Sequence, residues 1–202
     1  MADVTEVPPR RVLVAEDEAI IRLDLVEMLR EEGYEVVGEA ENGQVAVEKA
    51  QALRPDLVIM DVKMPVRNGL DAATEIARER IAPVVMLTAF SQREFVEKAR
   101  AAGAMAYLVK PFSKADLVPA IEIAVSRFGE LAALEREVTD LTERLETRKL
   151  VDRAKGILME RQGMTEPQAF RWIQRTAMDR RTSMKTISLV VIDTLNAAPT
   201  TD

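Results

Sequence analysis

Polar side chains stand at the ends of short apolar runs in the first 110 residues of this 202-residue chain. Glu16 and Asp17 follow the run "RVLVA", and Asp61 ends the run "DLVIMD". Thr88 lies near the end of "PVVMLTA", and Lys110 follows "AYLV". If these runs are parallel strands, their carboxyl ends meet at one edge of a sheet, and the five side chains lie close together there. Five polar residues at matching strand ends argue against the alternative that each is merely solvated.

Three carboxylates at one edge repel each other, so one would be protonated unless a cation neutralised the group. With oxygen ligands only, Mg²⁺ is the natural cation, because it also keeps several waters. Asp61, the central acid, could then attack phosphorus and form an acyl phosphate. Mg²⁺ and Lys110 would offset the charge on the transferring phosphoryl group. The Thr88 hydroxyl could donate a hydrogen bond to a phosphoryl oxygen.

The chain contains neither Cys nor His. This excludes disulfides, thiolate nucleophiles, imidazole bases and zinc sites of the usual kind, and the chain cannot itself donate a phosphoryl group from histidine. No apolar run approaches the roughly 20 residues of a membrane span. The start, "MADVTEVPPRR", lacks the apolar core of a signal peptide. We therefore expect a soluble cytoplasmic protein with no membrane partner and a disordered tail over residues 1–10.

Charge is unevenly distributed along the chain. Residues 144–185 hold eleven Lys or Arg and five Asp or Glu, a net charge of +6, whereas the whole chain carries −6 and the remainder therefore −12. Such asymmetry suggests an acidic part and a part that faces nucleic acid. The alternative is a set of solvated helix faces.

The first 125 residues alternate short β-branched runs with amphipathic stretches. This alternation predicts an α/β fold with a parallel sheet covered by helices on both faces. The predicted strands are 11–15, 34–38, 56–61, 83–89 and 106–111, and the predicted helices are 19–31, 43–52, 68–79, 92–101 and 114–128.

After Gly129 the helical pattern resumes, with Leu134, Val138, Leu141 and Leu145 at coiled-coil spacing. About two heptads are marginal for an isolated dimer. The stripe therefore either joins two copies of the chain or packs inside its own C-terminal domain.

The segment "RQGMTEPQAF" predicts the end of one helix and the start of another. Gly163 suits a helix C-cap, Thr165 and Gln168 fit a capping box, and Pro167 falls in the tolerated first turn. A helix to about Asp179 and a third helix capped by Ser183 complete a small all-α domain. The predicted apolar stripes are Ala169, Phe170, Ile173 and Ala177 on the second helix, and Ile187, Val190, Val191 and Leu195 on the third.

The pieces "VLVAEDE", "DLVIMDVKMPVRNGLD", "VVMLTA" and "AYLVKPF" resemble the receiver domain of two-component response regulators. The resemblance implies a flavodoxin-like five-stranded parallel sheet and phosphorylation of Asp61 by a histidine kinase. It also implies Mg²⁺ held by Glu16, Asp17, Asp61 and the backbone carbonyl of Lys63. Glu16 departs from the pattern, since the family usually has Asp there.

The resemblance further implies that Thr88 and Tyr107 form a switch pair, in which Tyr107 turns inward after phosphorylation. The alternative for Tyr107 is a place in the core.

A phosphatase of the haloacid-dehalogenase type also uses an Asp at a strand end, but it needs a second acid where this chain has Lys63. We therefore expect no enzyme beyond the receiver's own phosphorylation and dephosphorylation.

The motifs "AKGILM", "MTEPQAF" and "TAMDRR" resemble the ANTAR domain of transcription antitermination regulators. The resemblance implies an output that binds RNA hairpins in nascent transcripts. The whole pattern is similar to actinobacterial phosphorylation-dependent antitermination regulators. Gln174 and Ser188 depart from the family, which often has Arg and Ala at these positions; the first departure removes a basic contact, and the second loosens the core.

Residues 144–185 supply the candidate contacts to RNA phosphates. Trp172 either stacks on a base or is a partly buried core residue. Gly156 either permits close helix packing or lets RNA approach. The candidate RNA-binding residues are Arg148, Arg153, Lys155, Gly156, Arg175, Arg180 and Arg181.

Two other outputs compete with RNA binding. A helix-turn-helix DNA reader could use "QGMT" as its turn, but "EPQAF" is a poor start for a base-reading helix. The helices could also bind a protein partner. In each case we expect phosphorylation to favour a homodimer or an exposed output site.

The chain is expected to divide into a receiver over residues 11–128, a helical linker over 129–138 and an ANTAR domain over 139–196, with a tail over 197–202.

Overall fold

The computed structural model describes residues 9–89 and 93–196. Five strands form one sheet in the order β2-β1-β3-β4-β5, and all neighbouring strands are parallel. This confirms the predicted flavodoxin-like α/β fold. The strands are β1 Arg11–Ala15, β2 Glu35–Ala40, β3 Leu57–Asp61, β4 Val84–Thr88 and β5 Ala106–Val109.

The described ranges contain seven helices, and two of them pack on the face of the sheet that carries Val12 and Val14. The other face, which carries Leu13 and Ala15, packs against the second to fourth helices. The helices are α1 Ala19–Glu31, α2 Gly43–Leu53, α3 Gly69–Arg78, α4 Arg93–Ala101, α5 Lys114–Gln162, α6 Glu166–Asp179 and α7 Met184–Asn196. α1 and α5 cover the first face, and α2, α3 and α4 cover the second.

Several element ends differ from the predictions by one or two residues, but the end predicted for α5 at residue 128 is wrong, because the helix continues through Gly129 to Gln162. β2 reaches Ala40 because that residue pairs with Ala15 of β1. Residue 92, the predicted start of α4, lies outside the described residues, as do residues 1–8 and 197–202 of the predicted tails. Arg10 does not belong to a free tail, since its carbonyl accepts a hydrogen bond of 2.9 Å from the Glu35 backbone N–H.

The chain divides into two compact units, Met1–Ala132 and Ala133–Asp202. The helix α5 carries residues of both. The receiver, linker and output limits given above stay predictions.

The second unit has its own apolar core. Val151, Ala154 and Leu158 of α5 pack with the buried faces of α6 and α7. Gly163 has a φ of +66°, which confirms the left-handed helix end, and the Gln168 side chain accepts a 2.8 Å hydrogen bond from the Thr165 backbone N–H.

Two positions of the predicted stripes are wrong. Phe170 and Val190 are exposed, whereas Ala169, Ile173 and Ala177 on α6 and Ile187 and Val191 on α7 are buried. Each wrong position lies one residue from a buried neighbour, about 100° around the helix. The side chain of Leu195 lies outside the described part of the chain.

The predicted coiled-coil stripe does not pack inside its own unit. Leu134, Val138, Leu141 and Leu145 are 51–61% exposed. Burial within the domain, one of the two alternatives for this stripe, is therefore wrong.

Alanine substitutions of Ser188, within α7, and of Ser183, which caps α7, should have opposite effects on the stability of the second unit. The Ser188 hydroxyl is fully buried and has no hydrogen-bond partner within the described residues. Such an unsatisfied group costs about 1–3 kcal/mol, so Ser188→Ala should stabilise the second unit. Ser183 accepts a 3.1 Å hydrogen bond from the Thr186 backbone N–H, so Ser183→Ala should destabilise it by about 1 kcal/mol.

Hydrogen exchange of the α6 and α7 amides measures both effects in the intact chain. Slower exchange in Ser188→Ala and faster exchange in Ser183→Ala are expected. Faster exchange in Ser188→Ala would mean that the hydroxyl contributes a stabilising contact.

Candidate functional site

The predicted carboxylates meet at the carboxyl edge of the sheet. Glu16 follows β1, and its backbone N–H donates a 2.9 Å bond to the carbonyl of Ala40 at the end of β2. Asp61 is the last residue of β3. Oxygen atoms of Glu16, Asp17 and Asp61 all lie within 4.8 Å of one another. Glu16 and Asp61 are buried and Asp17 is exposed, so the cluster opens to solvent on one side.

Lys110 bridges two of these acids. Its Nζ lies 2.5 Å from Glu16 Oε2 and 2.7 Å from Asp61 Oδ1. Lys110 directly follows β5, the strand beside β4, and its backbone N–H donates a 2.8 Å bond to the carbonyl of Thr88. The Lys110 ammonium group is therefore held between the two buried acids.

Burial and mutual contacts shift the pKa values of two members of this cluster, Glu16 and Lys110. Burial raises the pKa of Glu16 above its usual value, the charge of Asp61 raises it further, and the hydrogen bond from Lys110 opposes both. Burial lowers the pKa of Lys110, but its hydrogen bonds to Asp61 and Glu16 outweigh burial, so that this pKa is raised overall. Two crowded acids and one lysine thus leave negative charge that a divalent cation would neutralise.

The donor set suits Mg²⁺. Three carboxylates on one open edge supply oxygen ligands, and the exposed Asp17 leaves space for waters. Lys63, whose carbonyl was predicted as a further ligand, directs its backbone N–H to Asp61 Oδ2 at 2.8 Å. This bond anchors the turn after β3 beside Asp61.

Gly69 is required by this turn. A Cβ on Gly69 would lie 1.8 Å from the carbonyl oxygen of Asp61, so any side chain would displace the strand end that carries Asp61. This glycine lies in the motif "DLVIMDVKMPVRNGLD", but nothing in the motif indicates its contact with Asp61.

Arg22 was also missed. Its guanidinium donates a 2.6 Å bond to the backbone carbonyl of Glu16 and lies 3.3 Å from Glu39 Oε2. It therefore holds the loop that carries Glu16 and Asp17. An arginine on an amphipathic helix gives no such signal in the sequence, because most of them are solvated.

The predicted switch residues differ in exposure. Thr88, the last residue of β4, is buried. Tyr107 of β5 is 45% exposed. The alternative that Tyr107 belongs to the core is therefore wrong.

The predicted RNA-binding residues of the second unit fall into two groups. Lys155 is only slightly exposed and is paired with Asp152 at 2.8 Å and with Glu166 at 2.7 Å. The hydrogen bond to Asp152, followed by the one to Glu166, raises the pKa of Lys155. Lys155 therefore joins α5 to α6 as well as carrying charge. The exposed group comprises Arg148, Arg153, Gly156, Arg175, Arg180 and Arg181.

The surroundings of Gly156 and Trp172 bear on the two alternatives given for each residue. A Cβ on Gly156 would meet no described atom within 4 Å, so close helix packing does not explain this glycine. Trp172 is 39% exposed and is not among the partly buried apolar residues that pack against the core of the second unit.

The fold and the site define a response regulator. Residues 12–122 match the response regulator receiver domain and residues 139–192 match the ANTAR domain. The chain belongs to the response regulators that carry an ANTAR domain after the receiver.

The chain is 70% identical over 193 residues to the transcriptional regulatory protein PdtaR of Mycobacterium tuberculosis, a match that covers 96% of this chain and 94% of that protein. The receiver domain of the response regulator NarL from the same species covers 59% of this chain and 98% of its own, with 27% identity and a TM-score of 0.57. A CheX–CheY–BeF₃–Mg²⁺ complex from Borrelia burgdorferi gives a TM-score of 0.54 at 25% identity and covers 56% of this chain and 87% of that one.

Across the described residues, each helix is either too short or too polar to cross a lipid bilayer.

Proposed function

We propose that a sensor histidine kinase phosphorylates Asp61 and that this switches an RNA-binding output. The observation that carries the first half is the convergence of Glu16, Asp17, Asp61 and Lys110 at one sheet edge, with Lys110 Nζ within 2.7 Å of Asp61. The ANTAR match and the exposed arginines support the second half. Since nascent transcripts are cytoplasmic in bacteria, the proposed location is the cytoplasm.

The proposed chemistry is a phosphoryl transfer to Asp61. A carboxylate oxygen of Asp61 attacks phosphorus, the P–N bond of a phosphohistidine breaks, and a P–O bond to Asp61 forms. Lys110 stabilises the developing phosphoryl charge. Glu16, Asp17, Asp61 and the carbonyl of Lys63 would hold Mg²⁺, which supplies further charge neutralisation. The relative with a solved Mg²⁺ complex, CheY of Borrelia burgdorferi, supports this choice of metal.

The proposed signal passes through Thr88 and Tyr107. The Thr88 hydroxyl bonds a phosphoryl oxygen, and Tyr107 turns inward from its half-exposed position into the space behind it. The phosphoryl group can shift this equilibrium only by binding the active arrangement more tightly. The receiver otherwise catalyses only its own phosphorylation and dephosphorylation.

The proposed output is transcription antitermination by RNA hairpin binding. Arg148, Arg153, Arg175, Arg180 and Arg181 provide phosphate contacts, and the exposed Gly156 allows a close approach of the RNA backbone. Lys155 contributes a further phosphate contact once its ion pairs with Asp152 and Glu166 are partly released. The exposed stripe of Leu134, Val138, Leu141 and Leu145 supports a phosphorylation-dependent homodimer, since a single helix leaves it in water.

A gel-shift experiment separates the output classes. The full chain, treated with acetyl phosphate and Mg²⁺, is titrated at one salt concentration with RNA hairpins of randomised loop and with duplex DNA of matched length. Retention of hairpins with little retention of duplex supports the proposal. Preference for duplex DNA would support the helix-turn-helix alternative, and binding of neither would leave a protein partner as the output.

Arg148→Ala should weaken hairpin binding and flatten its salt dependence. Each phosphate contact to a single strand contributes about −0.7 to the slope of log K against log salt, so loss of one contact should reduce the slope by about that amount. Arg78→Ala is the matched control, because Arg78 is highly exposed on the first unit, outside the proposed RNA surface. Equal slopes for both variants and the wild type would place the phosphate contacts elsewhere.

A further inference from the structure

A groove on the second unit lies between α5 and the two following helices. Its volume is about 690 Å³, within the range of about 300–1,000 Å³ typical of ligand pockets. Its apolar lining is Val151, Phe170 and Met184. Val151 is buried in the core of the unit, whereas Phe170 is 41% exposed. The groove therefore offers an aromatic side chain to a ligand.

The charged rim of the groove is balanced. Three cations, Arg144, Arg148 and Lys155, and three acids, Asp140, Glu143 and Asp152, line it, all from α5. Lys155 and Asp152 already pair with each other at 2.8 Å. A bare phosphate would meet as many carboxylates as cations here, so the charges do not select an anion.

Three of the remaining charged side chains of the rim, Asp140, Glu143 and Arg144, are exposed and can reach a ligand. Arg148 is also exposed and interacts electrostatically with Asp152. A nucleobase carries both kinds of complement, since its amino groups donate to carboxylates and its carbonyl and ring nitrogens accept from arginine. Its flat face stacks on an aromatic ring, which is how proteins hold unpaired RNA bases.

We infer that this groove binds one unpaired nucleobase of the RNA loop, stacked on Phe170 and bonded at its edge by Arg144 and Glu143. The inference rests on the proposed RNA output and names the subsite in which that output reads a base. Neighbouring phosphates then reach Arg148 at the groove rim. Arg144 and Phe170 then join the seven candidate RNA-binding residues given by the sequence.

The test combines two changes, one in the RNA and one in the protein. A hairpin that binds the wild-type chain, treated with acetyl phosphate and Mg²⁺, is selected from a pool with randomised loops. Each loop base is then replaced by an abasic site. One position should lose about 5- to 150-fold in affinity, because stacking is worth roughly 1–3 kcal/mol per base.

Phe170→Leu keeps an apolar side chain but removes the ring. Its affinity for the intact hairpin should be lower than that of the wild type by a similar factor. Its affinity should fall hardly any further when that one base is replaced by an abasic site. Phe170→Tyr should restore binding and the abasic effect. The salt slope should stay unchanged in both, because the ring contacts no phosphate.

Trp172→Leu is the matched control, since Trp172 is another half-exposed aromatic residue of α6 but lies outside the groove lining. It should keep the wild-type abasic effect at the same position. The base site is overturned if Phe170→Leu binds the intact hairpin with full affinity. It is also overturned if removal of the base weakens Phe170→Leu by the same factor as the wild type, because the ring and the base would then act independently. Failure of the wild type to retain any hairpin would instead defeat the RNA output itself, and the site with it.

Discussion

Asp61→Asn should abolish covalent phosphorylation of the chain. Asp61 is the buried acid at the end of β3, bonded by Lys110 at 2.7 Å and by the Lys63 backbone N–H at 2.8 Å. An amide is isosteric with the carboxylate but lacks the nucleophilic oxygen that forms an acyl phosphate. Mass spectrometry after treatment with acetyl phosphate and Mg²⁺ should show a phosphoryl adduct on the wild type and none on the variant.

The control for this loss is Asp24→Asn, which makes the same chemical change on the exposed side of α1. It should be phosphorylated like the wild type. An adduct that persists in Asp61→Asn at the wild-type level would place the acceptor on another side chain. Omission of Mg²⁺ should slow adduct formation in the wild type, because the crowded carboxylates then keep their negative charge.

Gly69→Ala should be the most damaging change of a single methyl group. The new Cβ would lie 1.8 Å from the Asp61 carbonyl oxygen and 3.2 Å from the Met60 side chain, so the backbone must shift. Overpacking of this kind costs up to about 3 kcal/mol, occasionally more. Faster hydrogen exchange of the β3 and α3 amides, together with slower phosphorylation of Asp61, is the expected result.

Gly129→Ala is the matched control, for which we expect a gain in stability instead of a loss. Gly129 lies within α5, and its Cβ would meet no described atom within 4 Å. Alanine there should stabilise the helix by up to about 1 kcal/mol. If Gly69→Ala were as stable as Gly129→Ala and were phosphorylated at the normal rate, the close approach of α3 to β3 would not be needed for the site.

The local pattern of the sequence was sufficient for the sheet and for the convergence of its acids. Short β-branched runs separated by amphipathic stretches leave few alternatives to a parallel sheet, and such a sheet places Glu16, Asp61 and Lys110 at one edge. The capping signals around Gly163 and Ser183 were equally readable, because they depend on neighbouring residues only.

Contacts between distant elements could not be read in this way. The bond of Arg22 to the Glu16 carbonyl and the contact of Gly69 with Asp61 depend on how the helices pack on the sheet. The pairing of Lys155 with Glu166 depends on the approach of α6 to α5. Phe170 was misplaced because one step along a helix separates a buried from an exposed position.

The central claim is that phosphorylation of Asp61 increases the affinity for hairpin RNA. If the competent state of the free chain is populated to about 1%, full activation raises the apparent affinity by up to about 100-fold. The direct measurement is the Kd of one hairpin for the full-length wild type and for Asp61→Asn, each with and without acetyl phosphate in the presence of Mg²⁺. The wild type should bind more tightly after treatment and Asp61→Asn should not change. An equal gain in both proteins, or no gain in a wild type shown to be phosphorylated, would contradict the claim.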